Sequence, residues 1–303
     1  MNLHPRFYPA NNDNPSYGLD SILKALVYAP ESIGAVDYIV KRNGAKCTGI
    51  KQVMFVYDGN GPIPASTLRK VAIKTAIKEL ICYLRGYDNI AQFHSLGVKT
   101  WDKDATENIS WLNNPNRKGE GDIGKCYGAL ARNLVGPNGE SKNVIEEQIT
   151  MLRNGDYNRR NIISFSDPFV RGALPACLYE HVFTVHDGYL NLSSAQRSND
   201  GSLGGTWNAP QCHFLLNLMA KLTGYKVGWV LHNVHDIHIY STQVEEIKQF
   251  INNEPYPSTA RLIIGDKINT TTTLAELDAM DVDDIFTVEG YQSHDRYDIT
   301  LTV

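Results

Sequence analysis

The sequence lacks any apolar stretch that approaches the roughly 20 residues of a membrane-spanning helix. It also lacks a strong charge of either sign, since 29 Lys and Arg against 33 Asp and Glu leave a formal net charge of -4 at pH 7. This balance gives no general attraction to nucleic acid or to an anionic membrane. The opening MNLHPRFYPANNDNPSYG is too polar for a signal-peptide core. We therefore expect a cytoplasmic protein that binds neither nucleic acid nor membrane.

Cysteine is scarce and scattered. The five cysteines form no CxxC pair and no zinc-type cluster with histidine, so we expect neither a disulfide framework nor a structural zinc. Each cysteine is by default a small buried apolar residue. For Cys177, in the stretch ALPACL, two interpretations stay open at this point: a core residue or a nucleophile.

Repeats, low-complexity linkers and composition breaks are also absent, which favours one domain over residues 1–303, with 1–16 as a flexible N-terminal extension. Helical spacing of apolar residues predicts helices over 17–30 and 69–85. A third helix is predicted over about 210–223, opened by Pro210 and closed by Gly224.

Polar residues dominate 100–125, which predicts a long surface loop. From residue 161 onward, short apolar runs predict strands, with a hairpin at the His-Asp-Gly turn and a long strand at KVGWVLHNVHDIHIY. Alternating strands and helices predict an α/β (α+β) fold with a mixed β-sheet flanked by helices.

Several polar residues interrupt this pattern. Glu79 lies within the apolar face of the second helix, either as a rim carboxylate paired with a lysine or as an acid whose pKa burial would raise. Arg159, Arg160 and Arg197 lie near strand ends, where a guanidinium is either a surface residue or a bidentate partner for phosphate or carboxylate.

Two further segments carry clustered polar side chains. QRSNDGSLGGTWN, residues 196–208, is either a capped loop or a binding surface for a polar heterocycle. In HNVHDIHIY, four polar residues alternate and share one face of a strand: His232, Asp236, His238 and Tyr240. A metal site is one interpretation of that face, and a hydrogen-bonding surface is the one we favour.

Read in order, nine motifs resemble the thymidylate synthase superfamily from about Val36 to the C-terminus. They are ELICYLRG with Glu79, VKTWD with Trp101, GDIGKCYG with Tyr127, the Arg159-Arg160 pair, LPAC with Cys177, QRSND at 196–200, LGGTWN with Asn208, HDIHIY at 235–240 and the tail VEGYQSHDRYDITLTV.

The resemblance implies a role for each matching residue. Cys177 would add to C6 of a pyrimidine, which makes C5 a carbon nucleophile. The implied catalytic residues are Cys177, Glu79, Tyr127 and Asp200. The implied substrate-binding residues are Arg42, Arg159, Arg160, Gln196, Arg197, Ser198, Asn208, His238 and Tyr240. The implied folate-binding residues are Trp101, Asp200, Leu203 and Gly204. The resemblance also implies a sheet-to-sheet homodimer in which Arg159 and Arg160 reach the partner's phosphate site, and no metal.

Asn208 and the departures from the family pattern bear on substrate and product. An asparagine amide suits uracil, whereas an aspartate would suit cytosine, so the expected substrate is dUMP. Asp104 replaces a second tryptophan, and Leu178, GTWN and Thr242-Gln243 also depart from the synthase pattern. A wetter folate side would let water attack the exocyclic methylene, so we expect 5-hydroxymethyl-dUMP as the product. The expected one-carbon donor is 5,10-methylenetetrahydrofolate. These expectations describe a phage-type deoxyuridylate hydroxymethyltransferase in a host cytoplasm. A thymidylate synthase making dTMP and dihydrofolate is the alternative, and a non-catalytic nucleotide-binding homologue is a second one.

Overall fold

The structure is a computed structural model that describes residues 6–41, 43–157, 159–169 and 171–301. Its strands are β1 (Arg6–Tyr8), β2 (Val36–Ile39), β3 (Lys46–Asp58), β4 (Leu134–Val135), β5 (Ser141–Lys142), β6 (Ile162–Ser164), β7 (Leu178–His186), β8 (Tyr189–Gln196), β9 (Asn199–Asp200), β10 (Lys226–Tyr240), β11 (Arg261–Ile264) and β12 (Phe286–Glu289). Its helices are α1 (Tyr17–Tyr28), α2 (Ile73–Leu84), α3 (Ile90–His94), α4 (Asp102–Thr106), α5 (Ile109–Leu112), α6 (Gly128–Arg132), α7 (Val144–Arg153), α8 (Gly205–Thr223), α9 (Val244–Lys248), α10 (Leu274–Ala279) and α11 (Val282–Ile285), with short 3-10 turns at Pro30–Ile33 and Ser241–Gln243.

One mixed sheet organises the fold. Its main path runs β1-β3-β10-β8-β7-β6, with β2 beside β3 and β9 beside β10. β10 is antiparallel to β3 and parallel to β8, and the crossover that parallel strands require is supplied by α8. β7 and β8 form the predicted hairpin. The predicted mixed sheet flanked by helices is confirmed.

Helix α8 is the central helix of the core and is buried on nearly every side. The prediction that Pro210 opens it is wrong, because the helix begins at Gly205. The amides of Trp207 and Asn208 already donate to the Gly204 carbonyl, at 3.0 and 2.8 Å, so the first turn forms ahead of the proline. Pro210 has no backbone N–H, so one hydrogen-bond donor is missing in the early part of the helix. At the other end Gly224 takes a left-handed φ of 81° and closes the helix as predicted.

Helix α2 starts later than predicted, at Ile73 rather than residue 69. The segment before it is held in another way, because the buried Arg69 guanidinium donates to the Ser202 carbonyl and the Thr206 hydroxyl. The end agrees with the prediction, since Gly86 follows the last turn with φ of 70°.

Residues 100–125 are wrongly predicted as a surface loop. They contain the short helices α4 and α5, and several of their apolar side chains join the core: Trp101, Ala105, Trp111 and Ile123. The apolar residues are spaced among polar ones, so composition alone hides them.

Residues 6–16 pack against the sheet and α1. β1 pairs in parallel with β3, and the Tyr8 ring stacks on Phe55 with centroids 5.5 Å apart. Ser16 is buried and donates to the Asp20 carboxylate at 2.7 Å. Residues 1–5 lie outside the described part of the chain.

One face of the sheet carries exposed apolar side chains. Along β10, Val230, His232 and Val234 are buried, whereas Trp229 on the opposite face is 47% exposed. Tyr189 on β8 is 42% exposed. In the described ranges, no helix has both the length and the apolar character needed to cross a bilayer.

Candidate active site

Cys177 differs from the other cysteines in its exposure. It lies just before β7 and is partly exposed, whereas Cys47, Cys82, Cys126 and Cys212 are buried. The backbone around it is fixed by two hydrogen bonds: its N–H donates to the Tyr127 hydroxyl at 2.9 Å, and its carbonyl accepts from the Arg197 N–H at 2.8 Å. A thiol that is both accessible and held in place is suited to nucleophilic attack.

Arg197 places a positive charge beside this thiol. Its Nη2 lies 3.5 Å from the Cys177 Sγ. The guanidinium is oriented by the carbonyls of Ala176 and Pro175, which accept from Nε at 3.0 Å and from Nη2 at 2.8 Å. Electrostatic attraction of this kind favours the thiolate over the thiol. Arg197 itself is exposed and therefore accessible to an anionic ligand.

Tyr127 is positioned by a close approach of two helices. A Cβ at Gly128 would lie 1.6 Å from the Tyr83 carbonyl oxygen, so only glycine lets α6 come this close to α2. Tyr127 stacks on the Tyr83 ring at 4.2 Å and adopts φ of 46°, which is uncommon for a non-glycine residue. Burial raises the pKa of Tyr127 well above its ordinary value, so the phenol stays protonated.

Glu79 is a buried acid, 6% exposed, and the lysine-paired rim interpretation does not hold. Its Oε1 accepts from the Thr100 hydroxyl. Its Oε2 accepts from the Trp207 indole N–H at 2.7 Å and from Gln211 Nε2 at 2.9 Å. Burial raises the pKa of Glu79, and these hydrogen bonds hold the rise back. The result is a carboxyl that holds its proton more tightly than an exposed glutamate does.

Asn208 belongs to a row of hydrogen-bonded side-chain amides, Gln211, Asn208 and Gln196, that begins at Glu79. Its Nδ2 donates to Gln211 Oε1 at 2.9 Å, and its Oδ1 accepts from Gln196 Nε2 at 2.8 Å. Gln196 Oε1 accepts in turn from His232 Nε2 at 2.7 Å. Burial lowers the pKa of His232 to about 4, so this histidine is neutral. The half-buried Asn208 amide therefore has a fixed direction.

His238 is oriented by a carboxylate on its own strand. Its Nδ1 lies 3.0 Å from Asp236 Oδ1, which also accepts from the Tyr38 hydroxyl at 3.0 Å, while Lys51 forms an ion pair with Oδ2. Burial alone would raise the pKa of Asp236, but the bonds from His238 and Lys51 outweigh it and hold the pKa below its ordinary value. The ionised carboxylate fixes the proton on Nδ1 and leaves Nε2 for a ligand. The Tyr240 ring packs edge-on against His238 at 5.2 Å.

Asp200 begins the loop that leads into α8. Its Oδ1 accepts from the N–H and hydroxyl of Ser202 and from the Leu203 N–H, at 3.0, 2.7 and 3.2 Å. Its Oδ2 accepts from Gln243 Nε2 at 2.7 Å, and the same nitrogen donates to the Thr300 carbonyl at 3.0 Å. Gln243 thus joins this carboxylate to the C-terminal tail. Gly204 lies next to it, where a Cβ would come within 3.2 Å of the Asp200 carbonyl oxygen.

The remaining predicted site residues are placed less centrally. Trp101 is 5% exposed and donates its indole N–H to Tyr83 at 3.0 Å. Ser198 is half-buried, and its carbonyl accepts from Gln196 at 2.9 Å. Arg159 and Arg160 are exposed in this single chain. Arg42 lies outside the described residues.

No group of three or more His, Cys, Asp or Glu side chains within the described ranges could hold a metal ion. Asp236 and His238 instead form the hydrogen-bonded pair described above. The partly exposed Cys177 thiol beside the Arg197 guanidinium fits an electrophilic, anionic substrate.

Comparison with known proteins places this chain in a family. The family model described as thymidylate synthase matches residues 34–303. The thymidylate synthase of Shewanella frigidimarina (strain NCIMB 400) is 43% identical over 258 residues, covering 84% of this chain and 90% of that protein. The thymidylate synthase of Pseudoalteromonas translucida (strain TAC 125) is 39% identical over 267 residues, covering 87% and 93%. That of Marinomonas sp. (strain MWYL1) is 40% identical over 259 residues, covering 84% and 90%.

The chain belongs to the thymidylate synthase family, and it is an enzyme of the transferase class. The prediction of a phage-type hydroxymethyltransferase that makes 5-hydroxymethyl-dUMP is wrong, because relatives at 39 to 43% identity over most of the chain are named thymidylate synthase.

The structure offers a physical reason for that error. Three of the departures taken as signs of a wetter site are side chains that are hydrogen-bonded or buried. Trp207 of GTWN donates to Glu79, and Gln243 joins Asp200 to the tail. Leu178 is 2% exposed. Unusual residues at these positions therefore do not by themselves open the site to water.

Trp207 and Gln211 contact Glu79 but are not among the site residues predicted from the sequence. Gln211 follows Asn208 by three positions on a helix, which places both on one face. That spacing was the available signal, but Pro210 between them hid it by suggesting that the helix began later. Trp207 looked only like a deviation from the family motif.

Proposed function

We propose that this chain is a thymidylate synthase that converts dUMP and 5,10-methylenetetrahydrofolate to dTMP and dihydrofolate. The observation that supports this most strongly is the partly exposed Cys177 thiol 3.5 Å from the Arg197 guanidinium, in a chain whose relatives are named for this activity. The folate supplies the one-carbon unit and the hydride that reduces it to a methyl group.

Cys177 is the nucleophile. Its thiolate adds to C6 of uracil, a C–S bond forms, and the electron pair of the C5–C6 double bond makes C5 nucleophilic. Arg197 favours the thiolate and binds the nucleotide phosphate, together with Ser198. C5 takes the methylene carbon of the folate and loses its proton, and a hydride from the folate then reduces that carbon to a methyl group, which leaves dihydrofolate. The C5–C6 double bond re-forms as the C–S bond breaks and the thiolate leaves.

Glu79 and Asn208 act on the uracil edge. Asn208 Oδ1 accepts from N3–H and its second Nδ2 proton is donated to O4. Glu79 is connected to Asn208 through Gln211. As charge develops on the ring, Glu79 exchanges a proton with O4 and with the water next to O4. His238 Nε2 and the Tyr240 hydroxyl bind the 3'-hydroxyl of the deoxyribose. Tyr127 holds the backbone of the nucleophile.

The folate lies on the side of Asp200, Leu203, Gly204 and Trp101. The Asp200 carboxylate accepts the N–H groups of the pterin, and Trp101 borders the ring. Gln243 ties this carboxylate to the C-terminal tail, which closes over the site and limits the entry of water.

We also infer one domain over residues 1–303 and a homodimer. The partner copy covers the sheet face that exposes Trp229 and Tyr189, and Arg159 and Arg160 reach its phosphate site. A sedimentation measurement that finds only monomer at assay concentrations would overturn the dimer.

The activity is tested by incubating the protein with dUMP and methylenetetrahydrofolate, following dihydrofolate by its absorbance and identifying the nucleotide by mass. The proposal expects dTMP and dihydrofolate in equal amounts. A nucleotide product without dihydrofolate, or dUMP binding without any turnover, would contradict it.

A further inference from the structure

Gln211 is a buried carboxamide, 1% exposed, whose polar atoms are all engaged. Its Nε2 donates to the Ala76 carbonyl and to Glu79 Oε2, both at 2.9 Å. Its Oε1 accepts from Asn208 Nδ2 at 2.9 Å. Since a buried amide that loses a partner is costly, this arrangement resists rotation of the side chain.

The Ala76 carbonyl decides which way the amide points. A carbonyl only accepts, so Nε2 of Gln211 must face it, and Oε1 must then face Asn208. Asn208 consequently turns its Nδ2 toward Gln211 and its Oδ1 toward Gln196. Gln196 is fixed by the same logic, because its Nε2 donates to the Ser198 carbonyl at 2.9 Å.

A fixed asparagine distinguishes the two pyrimidines, whereas a freely rotating one does not. Uracil presents an acceptor at O4 and a donor at N3, while cytosine presents a donor at N4 and an acceptor at N3. An asparagine that turns over by 180° exchanges its oxygen and nitrogen and matches cytosine as well as the original matched uracil. The discrimination therefore depends on what prevents the flip.

We propose that Gln211 is a positioning residue that, together with Gln196, fixes the direction of the Asn208 amide, so that the site prefers uracil to cytosine, and that the same side chain holds the Glu79 carboxyl through its Nε2. This inference depends on the proposed function, since it takes dUMP as the substrate. It assigns selectivity to a residue that need not touch the nucleotide.

The pH dependence of this cluster is governed by Glu79. The other titratable groups that face it are Cys82 and Tyr83 from α2 and Tyr127 from the start of α6. Burial raises the pKa of Cys82 to about 12 and those of Tyr83 and Tyr127 well above their ordinary values, so all three stay neutral. The bond from Gln211 is one of those that lower the pKa of Glu79.

Two variants separate the two roles. Gln211→Met keeps the volume but removes the bonds that Gln211 makes, so that only Gln196 still orients Asn208. The ratio of the Kd values for dCMP and dUMP, measured by calorimetry, then falls about three- to tenfold. Gln211→Glu keeps an acceptor for Asn208, so the ratio of the two Kd values stays within about twofold of the parent ratio. The new carboxyl lies beside Glu79 and therefore moves the Glu79 midpoint of the pH–kcat profile upward by about one unit.

Gln148→Met is the matched control. Gln148 is also buried, at 4% exposure, but its Oε1 accepts from Asn161, away from the site. This control loses stability and keeps both the Kd ratio and the pH midpoint of the parent enzyme. If Gln211→Met behaves in the same way, Gln211 is only structural and the inference fails. If Gln211→Met does not fold, Gln211→Glu decides. An unchanged pH midpoint in Gln211→Glu overturns the claim that Gln211 acts on Glu79. A Kd ratio that falls in Gln211→Glu overturns the claim that Gln211 orients Asn208.

The parent enzyme distinguishes this failure from failure of the proposed function. Turnover of dUMP to dTMP with a retained Kd ratio in Gln211→Met overturns the inference alone. A parent enzyme that binds dCMP as tightly as dUMP overturns the substrate assignment and the inference with it.

Discussion

Replacing Trp207 with phenylalanine tests how the site controls the proton of Glu79. The substitution removes the 2.7 Å bond from the indole N–H to Oε2 and leaves an aromatic ring in place. A hydrogen bond to a charged group contributes about 1.5 to 3 kcal/mol, and a protonated carboxyl retains part of it. If about 1.4 kcal/mol depends on the charge, the pKa of Glu79 rises by about one further unit.

The sign of the effect on stability follows from the raised pKa. Because burial already holds the pKa of Glu79 above its unfolded value, the folded state binds this proton more tightly than the unfolded chain. The contribution to stability is full below the unfolded pKa of about 4.3 and is lost as pH rises through the folded pKa. The free energy of unfolding of Trp207→Phe should therefore lie further below that of the parent at pH 8 than at pH 4, by about 1 to 1.5 kcal/mol.

The assay combines urea unfolding at the two pH values with a pH–kcat profile. Trp111→Phe is the control, since the Trp111 indole donates to the neutral carbonyl of Asp122 and its loss should cost the same at both pH values. In the profile, the Glu79 midpoint of Trp207→Phe should move to higher pH and that of Trp111→Phe should not. Equal stability gaps at pH 4 and pH 8 together with an unmoved midpoint would refute the reasoning.

Three further substitutions test the proposed roles. Cys177→Ser should abolish turnover while the Kd for dUMP stays within about threefold, because the thiol forms a bond that dUMP binding does not need; residual turnover at a sizeable fraction of the parent rate would remove Cys177 as the nucleophile. Asn208→Asp should shift the preference in kcat/KM toward dCMP by about tenfold or more, and an unchanged preference contradicts base recognition by Asn208. Arg197→Gln should slow alkylation of Cys177 by iodoacetamide at neutral pH severalfold, since the guanidinium favours the reactive thiolate; an equal rate would show that the 3.5 Å contact has no electrostatic effect on the thiol.

The outline of the fold was predictable because alternation and helical spacing are strong signals. The hairpin of β7 and β8 and the fifteen-residue strand β10 fall where the pattern placed them. The errors have local causes. Pro210 suggested a helix start but lies inside α8, and the polar residues of 100–125 concealed the buried side chains of Trp101 and Trp111.

The site was predictable only in part. No residue next to Cys177 marks it as a nucleophile, so composition alone predicts a core cysteine. Only the motifs elsewhere in the chain pointed to Cys177 as a nucleophile. Glu79 was visible as a carboxyl on an apolar face. The spacing of Gln211 from Asn208 was hidden by Pro210, and the bonds of Trp207 and Gln211 to Glu79 join α8 to α2, a contact that no short-range pattern encodes.

The origin of the oxygen atoms in the product tests the central claim most directly. The reaction is run with dUMP and methylenetetrahydrofolate in water labelled with oxygen-18, and the nucleotide is analysed by mass spectrometry. Thymidylate synthesis reduces the one-carbon unit with a hydride, so the account predicts dTMP that carries a methyl group and no oxygen-18. A product that carries a hydroxymethyl group labelled with oxygen-18 would contradict it.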